Sequence, residues 1–469
     1  MIPVTCLAGK RVAVFGLGMS GIAAAQALAA GGAEPVIWDD KPESREAAAR
    51  LGLALTDLSA ADWSGFTALV LAPGVPLTHP KPHWTVERAR AAGIEVIGDT
   101  ELFCRERRHL GSKASIAAIT GTNGKSTTTA LTAHLLAAAG RRVSMGGNIG
   151  TAILALDPLA DDRHYVIEYS SFQIDLTPTL DANTACLLNV TPDHLDRHGT
   201  LEHYASVKSR IFDRLGREDT AVIGVDDEFS ARIADMHAKH TKVQAISCER
   251  SVERGVYATA AGLIEVADGV ALPPLSLAGI GSLRGVHNWQ NAACAYAMTR
   301  ALGLTREEIA DGLRSFPGLA HRMEEVGRLG GVLFINDSKA TNADAAGKAL
   351  ASFDTIYWIA GGLAKAGGLA GLEGFYPKIR RAYLIGDAAT AFSTQLGGAV
   401  PHQTSVTLER AIAEATRDAA ASGSANPVVL LSPACASYDQ FPSFTARGDA
   451  FKAIVGSLPG VVLRGGEAA

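Results

Sequence analysis

Thr120-Gly121-Thr122-Asn123-Gly124-Lys125-Ser126-Thr127 is the stretch from which the fold is read. It follows a short apolar strand, Ser115-Ile116-Ala117-Ala118-Ile119, and opens an alanine-rich helix, Thr128 to Ala139, which Gly140 ends. A glycine turn at a helix N-terminus points several backbone N–H groups at one spot, and the helix dipole adds partial positive charge there. Lys125 is placed to reach terminal phosphates, and the Ser126 hydroxyl can ligate Mg²⁺. The usual phosphate loop has a glycine where Ile119 stands, so this is a shortened G-x-x-G-K-S version. A structural turn with a surface lysine is the plainer reading, but strand, glycines, lysine, hydroxyl and helix all occur in the order that phosphate binding requires.

Outward from this turn, β-branched runs alternate with helical stretches almost throughout. That alternation predicts an α/β fold with mostly parallel sheets. The 469 residues suggest about three domains at roughly 150 residues each. The linker His109-Leu110-Gly111-Ser112-Lys113 and the helix-breaking Phe316-Pro317-Gly318-Leu319 divide the chain into 1–111, 112–319 and 320–469. A capping box, Thr305 to Glu308, starts the last helix of the middle block. Leu201 to Leu215 reads as one helix.

Composition narrows the function classes. Hydrophobic residues make up 47% and charged residues 19%, which permits large cores and argues against disorder. A formal charge of −5 gives no electrostatic footprint for nucleic acid. No apolar run reaches the ~18 residues of a membrane span, and the N-terminus has no signal-peptide pattern. The six cysteines are widely spaced without a C-x-x-C pair, as expected of reduced thiols in a cytoplasmic protein.

The first block carries a second glycine motif, Gly16-Leu17-Gly18-Met19-Ser20-Gly21, between a strand and a helix, with Asp39 ending the next strand. Such a turn cradles a pyrophosphate and the acid reads a ribose, which fits NAD or a UDP-sugar equally; a purely structural turn is the alternative. In the middle block, Glu168 ends an apolar strand and Asp193-His194 follows the next. Both would lie on the carboxyl edge of a parallel sheet, where open α/β sheets bind ligands. No set of closely spaced thiols and imidazoles of the kind that holds zinc occurs, so a hard cation held by oxygens fits better. Lys208, read from the residues alone, is an ordinary solvated helix lysine. In the last block, loops at Asn336–Asn342, Gly361–Gly368 and Ser432–Phe441 each follow a strand. Singly each is an ordinary loop; after successive strands they would form one rim.

Together these motifs resemble the Mur ligase family, with His287-Asn288 and His321-Arg322 completing the set. They span the whole chain in order. The resemblance implies three domains: a Rossmann-like N-terminal domain for a UDP moiety, a central ATPase with a mostly parallel sheet, and a Rossmann-like C-terminal domain that helps bind an amino acid. The glycine motif would then hold UDP rather than NAD, with Gly18, Ser20, Asp39 and Gly74 as contacts and Asn148 reaching the muramoyl part. The implied reaction is ATP-dependent addition of D-glutamate to UDP-N-acetylmuramoyl-L-alanine through an acyl phosphate, by a cytoplasmic monomer.

By the same resemblance Gly121, Thr122, Asn123, Gly124, Lys125, Ser126, Thr127, Asn291, Arg322 and Asp337 contact ATP. Ser126, Glu168, His194 and a carbamylated Lys208 would hold two Mg²⁺ ions. Lys339 would lie beside the transferring group. His194, Thr341, Lys365, Ser437 and Phe444 would form the glutamate pocket. Lys125, Glu168, His194, Lys208 and Lys339 are thus the expected catalytic set. The alternatives are the same reaction with L-glutamate, a ligase that extends folate with glutamate, an NAD-dependent oxidoreductase, and a nucleotide-gated binding module.

Overall fold

In the computed structural model, which describes residues 1–365 and 367–464, the chain builds three α/β sheets. The first orders its strands Glu34–Trp38, Arg11–Phe15, Ala68–Leu71 and Glu95–Ile97, all parallel. The second has nine strands, of which seven run parallel, from Gly255–Thr259 across to Arg142–Gly147. The third has seven, with Glu324–Leu329 and Val462–Leu463 as an antiparallel border on five parallel strands. The parallel strands are buried on both faces: Ala68–Leu71, Thr184–Leu187, Ile356–Gly361 and Val428–Leu431 are buried throughout. That is why they read as short continuous apolar runs rather than alternating ones.

The chain packs as two compact units, Met1–Ala278 with Asn288–Phe316, and Gly279–His287 with Pro317–Ala469. The first unit holds the first two sheets and the second unit the third. In each sheet the candidate site motifs leave the carboxyl ends of strands at a switch in strand order. Arg11–Phe15 lies between strands that follow and precede different helices, and Ser115–Thr120 lies between Arg163–Glu168 and Thr184–Leu187. In the third sheet Val428–Leu431 lies between Ile356–Gly361 and Val332–Asn336, so the three loops after these strands share one edge.

One local expectation is corrected. The helix expected over 201–215 stops at Ser209 and tightens into a 3₁₀ turn, Arg210–Phe212, a common way to satisfy the last carbonyls of a helix. The second sheet gains an antiparallel extension, Gly262–Ala267 and Val270–Ala271. Its second turn is Asp268-Gly269, both with positive φ, as a tight hairpin demands. The capping box at Thr305 and Glu308 forms as expected. The cysteines are free, four of them buried. Among the described residues no helix is long and apolar enough to cross a membrane.

Candidate functional site

The N-terminal glycine motif frames a cavity of ≈ 580 Å³. Gly16 has φ 92° and leaves the strand directly; a side chain on Gly21 would strike the Gly16 carbonyl at 1.8 Å, so the helix can begin here only with glycine. Asp39 is spent partly on structure: its carboxylate accepts from the Leu17 N–H at 2.7 Å and the Lys41 N–H at 2.8 Å. It thereby ties the second strand to the glycine turn while still lining the cavity. All five residues expected to meet a UDP moiety, Gly18, Ser20, Asp39, Gly74 and Asn148, line this one cavity.

Asn148 connects the cavity to the phosphate turn. Its side-chain amide donates to Glu168 Oε1 at 2.7 Å, and its backbone N–H to the Glu168 carbonyl at 2.8 Å. Glu168 is 2% exposed, and its other oxygen, Oε2, is buried without a hydrogen-bond partner. A buried carboxylate oxygen left open is costly unless something positive completes it.

The phosphate turn is held by packing that only glycine allows. A Cβ on Gly124, at φ 85°, would lie 2.2 Å from the side-chain oxygen of Asn291. Asn291 Oδ1 accepts from the Thr128 hydroxyl at 3.3 Å, so this buried asparagine sits against the start of the helix Lys125–Ala138. Thr122 and Asn123 donate their N–H groups to Asn189, at 2.9 Å each, and Thr122 exchanges hydrogen bonds with Thr191. The Lys125 ammonium donates to the carbonyls of Gly121 and Thr122, both at 2.9 Å. Ser126 and Thr127 occupy the first turn of that helix.

Lys208 is not solvated. It is 1% exposed, donates to the Gly121 carbonyl at 2.9 Å and the Thr120 hydroxyl at 3.2 Å, and lies 4.7 Å from the centre of the Tyr204 ring. Burial, then the nearby Lys125 charge, push its pKa well below the usual lysine value, against the pull of Asp193 and Glu168. His194 is a left-handed residue (φ 52°) capping the short helix Leu195–His198, half exposed, with Asp193 3.5 Å away. Glu168, Lys208 and the turn therefore meet at one place. Among the described residues there is no cluster of three or more His, Cys, Asp or Glu able to hold a metal. Any cation here would depend on the open Glu168 oxygen and on hydroxyl oxygens.

In the second unit, Asp337 is buried, accepting from the Ser432 hydroxyl at 2.8 Å and the Met323 N–H at 3.2 Å. Burial pushes its pKa up to about 7. Arg322 follows the left-handed His321 (φ 63°), which the Asn336 amide fixes at 3.1 Å. The Lys339 ammonium lies 3.9 Å from the centre of the Phe444 ring, a close cation–π geometry. Ser437 is buried, Thr341 half-buried and Lys365 exposed. Arg447, which the sequence gave no reason to single out, is 1% exposed beneath this rim. It donates to the Ser338 hydroxyl at 3.0 Å and to the carbonyls of Ser338 at 2.8 Å and Cys435 at 3.1 Å.

Three family models match in chain order: the Mur ligase MurD-like N-terminal domain over 10–98, the Mur ligase middle domain over 119–299, and the Mur ligase glutamate ligase domain over 321–435. A Chelativorans protein named UDP-N-acetylmuramoylalanine--D-glutamate ligase is 58% identical over 466 residues, 99% of each chain. A Brucella abortus protein of the same name is 56% identical over 470 residues, covering both chains completely. The chain belongs to the Mur ligase family.

Solved Mur ligase structures share its fold at low identity. UDP-N-acetylmuramate-alanine ligase MurC from Thermotoga maritima superposes with TM-score 0.55 at 17% identity, covering 94% of this chain and 98% of that one. MurF from Acinetobacter baumannii gives 0.54 at 18%, covering 77% and 81%. The sequence reading did not single out Arg447: its Ser338 acceptor lies 109 residues away, and an isolated arginine on a helix carries no signal of that.

Proposed function

We propose that this Mur ligase joins D-glutamate to UDP-N-acetylmuramoyl-L-alanine at the expense of ATP, as a cytoplasmic monomer in peptidoglycan precursor synthesis. The observation that carries the reading is Asn148. It lines the cavity of the glycine motif and hydrogen-bonds Glu168 beside the phosphate turn, so a nucleotide-sugar seated in the cavity extends its acyl end toward the transferred phosphate.

The alanyl carboxylate attacks the γ-phosphorus of ATP, the bond to the β-phosphate oxygen breaks, and an acyl phosphate and ADP result. The glutamate amine then attacks the acyl carbon, loses a proton, and the tetrahedral intermediate collapses to the amide and inorganic phosphate. Phosphoryl transfer needs positioning and charge neutralisation more than covalent help. The N–H groups in the first turn of the helix Lys125–Ala138 cradle the phosphates, those of Thr122 and Asn123 being held by Asn189, and Lys125 swings from its carbonyl partners onto them. Asn291, Arg322 and Asp337 are assigned to the nucleotide, and Lys339 to the transferring group.

The open Glu168 oxygen fits a divalent cation. Ser126 and Glu168 would hold one Mg²⁺, and His194 with Lys208 a second. Bound Mg²⁺ would neutralise charge on the phosphates. An amine whose pKa is lowered by burial is available to form a carbamate with CO₂, which turns a buried cation into an oxygen ligand. Thr341, Lys365, Ser437 and Phe444 are assigned to glutamate, where an exposed lysine can meet a carboxylate.

Phosphate release from ATP tests this, with Mg²⁺, UDP-N-acetylmuramoyl-L-alanine, and D- or L-glutamate. Release that needs both substrates and prefers the D isomer supports the reading. Preference for L-glutamate changes the acceptor but keeps the mechanism. No release with either isomer overturns it in favour of a folate-extending ligase or a nucleotide-gated binding module.

A further inference from the structure

Arg197 lies on the short helix Leu195–His198, three residues past His194. Its side chain reaches back to the first sheet. Nη1 donates to the Gly74 carbonyl and Nη2 to the Val75 carbonyl, each at 3.0 Å. Gly74 and Val75 belong to the loop after Ala68–Leu71 and line the UDP cavity. The guanidinium also stands 4.6 Å from the centre of the Phe172 ring, and Phe172 follows Glu168 closely in the chain. Phe172 in turn stacks on His198 at 5.3 Å and 6°, and packs against His194 at 5.0 Å.

Arg197 makes no ion pair within 4 Å among the described residues. Burial lowers its pKa, offset by the Asp196 charge. A half-buried arginine that meets two neutral carbonyls and no carboxylate gains little stability from its charge. What the arrangement achieves is geometric: a planar fork fixes two successive carbonyls at once. The seam is otherwise tight. The space that Val75, Phe172, Arg197 and His198 help to line measures only ≈ 10 Å³, about the least that a single water needs. Beyond it, a Cβ on Gly199 would lie 3.1 Å from the His79 ring.

We propose that Arg197 is a positioning residue that locks the Gly74–Val75 wall of the UDP cavity to the His194 turn and Phe172, so that nucleotide binding and UDP-substrate binding reinforce one another. This rests on the assignment of the cavity to the UDP substrate. Neither ligand need touch Arg197. Each stabilises one end of the clamp, and linkage makes the effect reciprocal.

The test is calorimetric titration of UDP-N-acetylmuramoyl-L-alanine into the full chain, alone and with a saturating non-hydrolysable ATP analogue and Mg²⁺. In the unaltered chain the analogue is expected to tighten the substrate about fivefold. In Arg197→Met the substrate Kd rises about tenfold and the response to the analogue falls below about 1.5-fold, while the analogue's own Kd stays within about twofold. Arg197→Lys, which keeps the charge but not the fork, falls between; if the methionine variant does not fold, the lysine variant decides by the same criterion. A variant that keeps the full response overturns the proposal, as does an unaltered chain with no response, or equal weakening of both ligands. An unaltered chain that binds no UDP substrate instead removes the functional reading beneath it.

Discussion

Lys208 in the first unit and Arg447 in the second are each 1% exposed, and neither has a carboxylate partner within 4 Å among the described residues. Both are satisfied by carbonyls and a hydroxyl: Gly121 and Thr120 for the lysine, Ser338, Cys435 and again Ser338 for the arginine. Yet burial does different things to them. It drives the lysine well below its usual pKa, toward the neutral amine, whereas the arginine is lowered only to about 10 and keeps its charge at neutral pH. A compact amine can give up its proton when desolvated; a delocalised guanidinium holds it. The first region therefore carries a group that chemistry can convert, and the second a permanent cation suited to holding loops.

The largest expected effect breaks the first half of this contrast. Lys208→Met and Lys208→Arg should each lower phosphate release at least about a thousandfold, since neither side chain can supply an oxygen ligand. Lys208→Met should melt close to the unaltered chain, because its two acceptors keep other partners: the Gly121 carbonyl accepts from Lys125 and the Thr120 hydroxyl donates to the Tyr169 carbonyl. If Lys208→Arg works within about tenfold of the unaltered chain, a fixed positive charge suffices and the distinction between the regions collapses.

The two regions also differ in how far the sequence foretold them. The turn from Gly121 to Thr127 and the cavity that the five residues expected to meet a UDP moiety line were legible because the strand, glycines and helix that build them are neighbours in the chain. Their geometry follows from local backbone demands, as the close approaches at Gly21 and Gly124 show. Lys208 read as solvated because helical spacing names a face but not what covers it; its partners lie 87 and 88 residues away. Arg447 was harder, with an acceptor 109 residues distant. The Asp268-Gly269 turn carries a hairpin signal, but its second strand, Val270–Ala271, is only two residues long and too short to show an alternating pattern. The rim of three loops was legible only jointly, through strands whose adjacency the sheet order now gives.

Next in size is the arginine. Arg447→Met leaves the carbonyls of Ser338 and Cys435 buried without their donor. Unfolding in urea should show a loss of about 3 kcal/mol, the scale of unsatisfied buried acceptors on a charged donor. Arg447→Lys should recover part of it. Because the clamped loops carry Lys339 and Ser437, the KM for glutamate should rise in both variants while the affinity for the UDP substrate, bound in the other unit, holds. A methionine variant of unchanged stability would mean that the rim is held by its own backbone and the cation is incidental.

The smallest effect sharpens the contrast from the acidic side. Asp337, in the same rim as Arg447, has its pKa raised by burial from 3.8 to about 7, against the pull of the Ser432 hydroxyl and the Met323 N–H. A raised carboxyl pKa means that the folded chain holds this proton where the unfolded chain has released it. The Asp337 contribution to stability is therefore complete below about pH 4, shrinks as pH rises toward about 7, and is gone above that. Asp337→Asn removes this dependence while keeping an acceptor for Met323. The difference in unfolding free energy between variant and unaltered chain should thus move in favour of the variant by about 3 kcal/mol between about pH 5 and about pH 8, with nucleotide absent. A flat difference across that range would mean that water or the neighbouring Arg322 already stabilises the ionised carboxylate. The rim would then tolerate charge of both signs, and Arg447 would be one member of a solvated network rather than a lone buried cation.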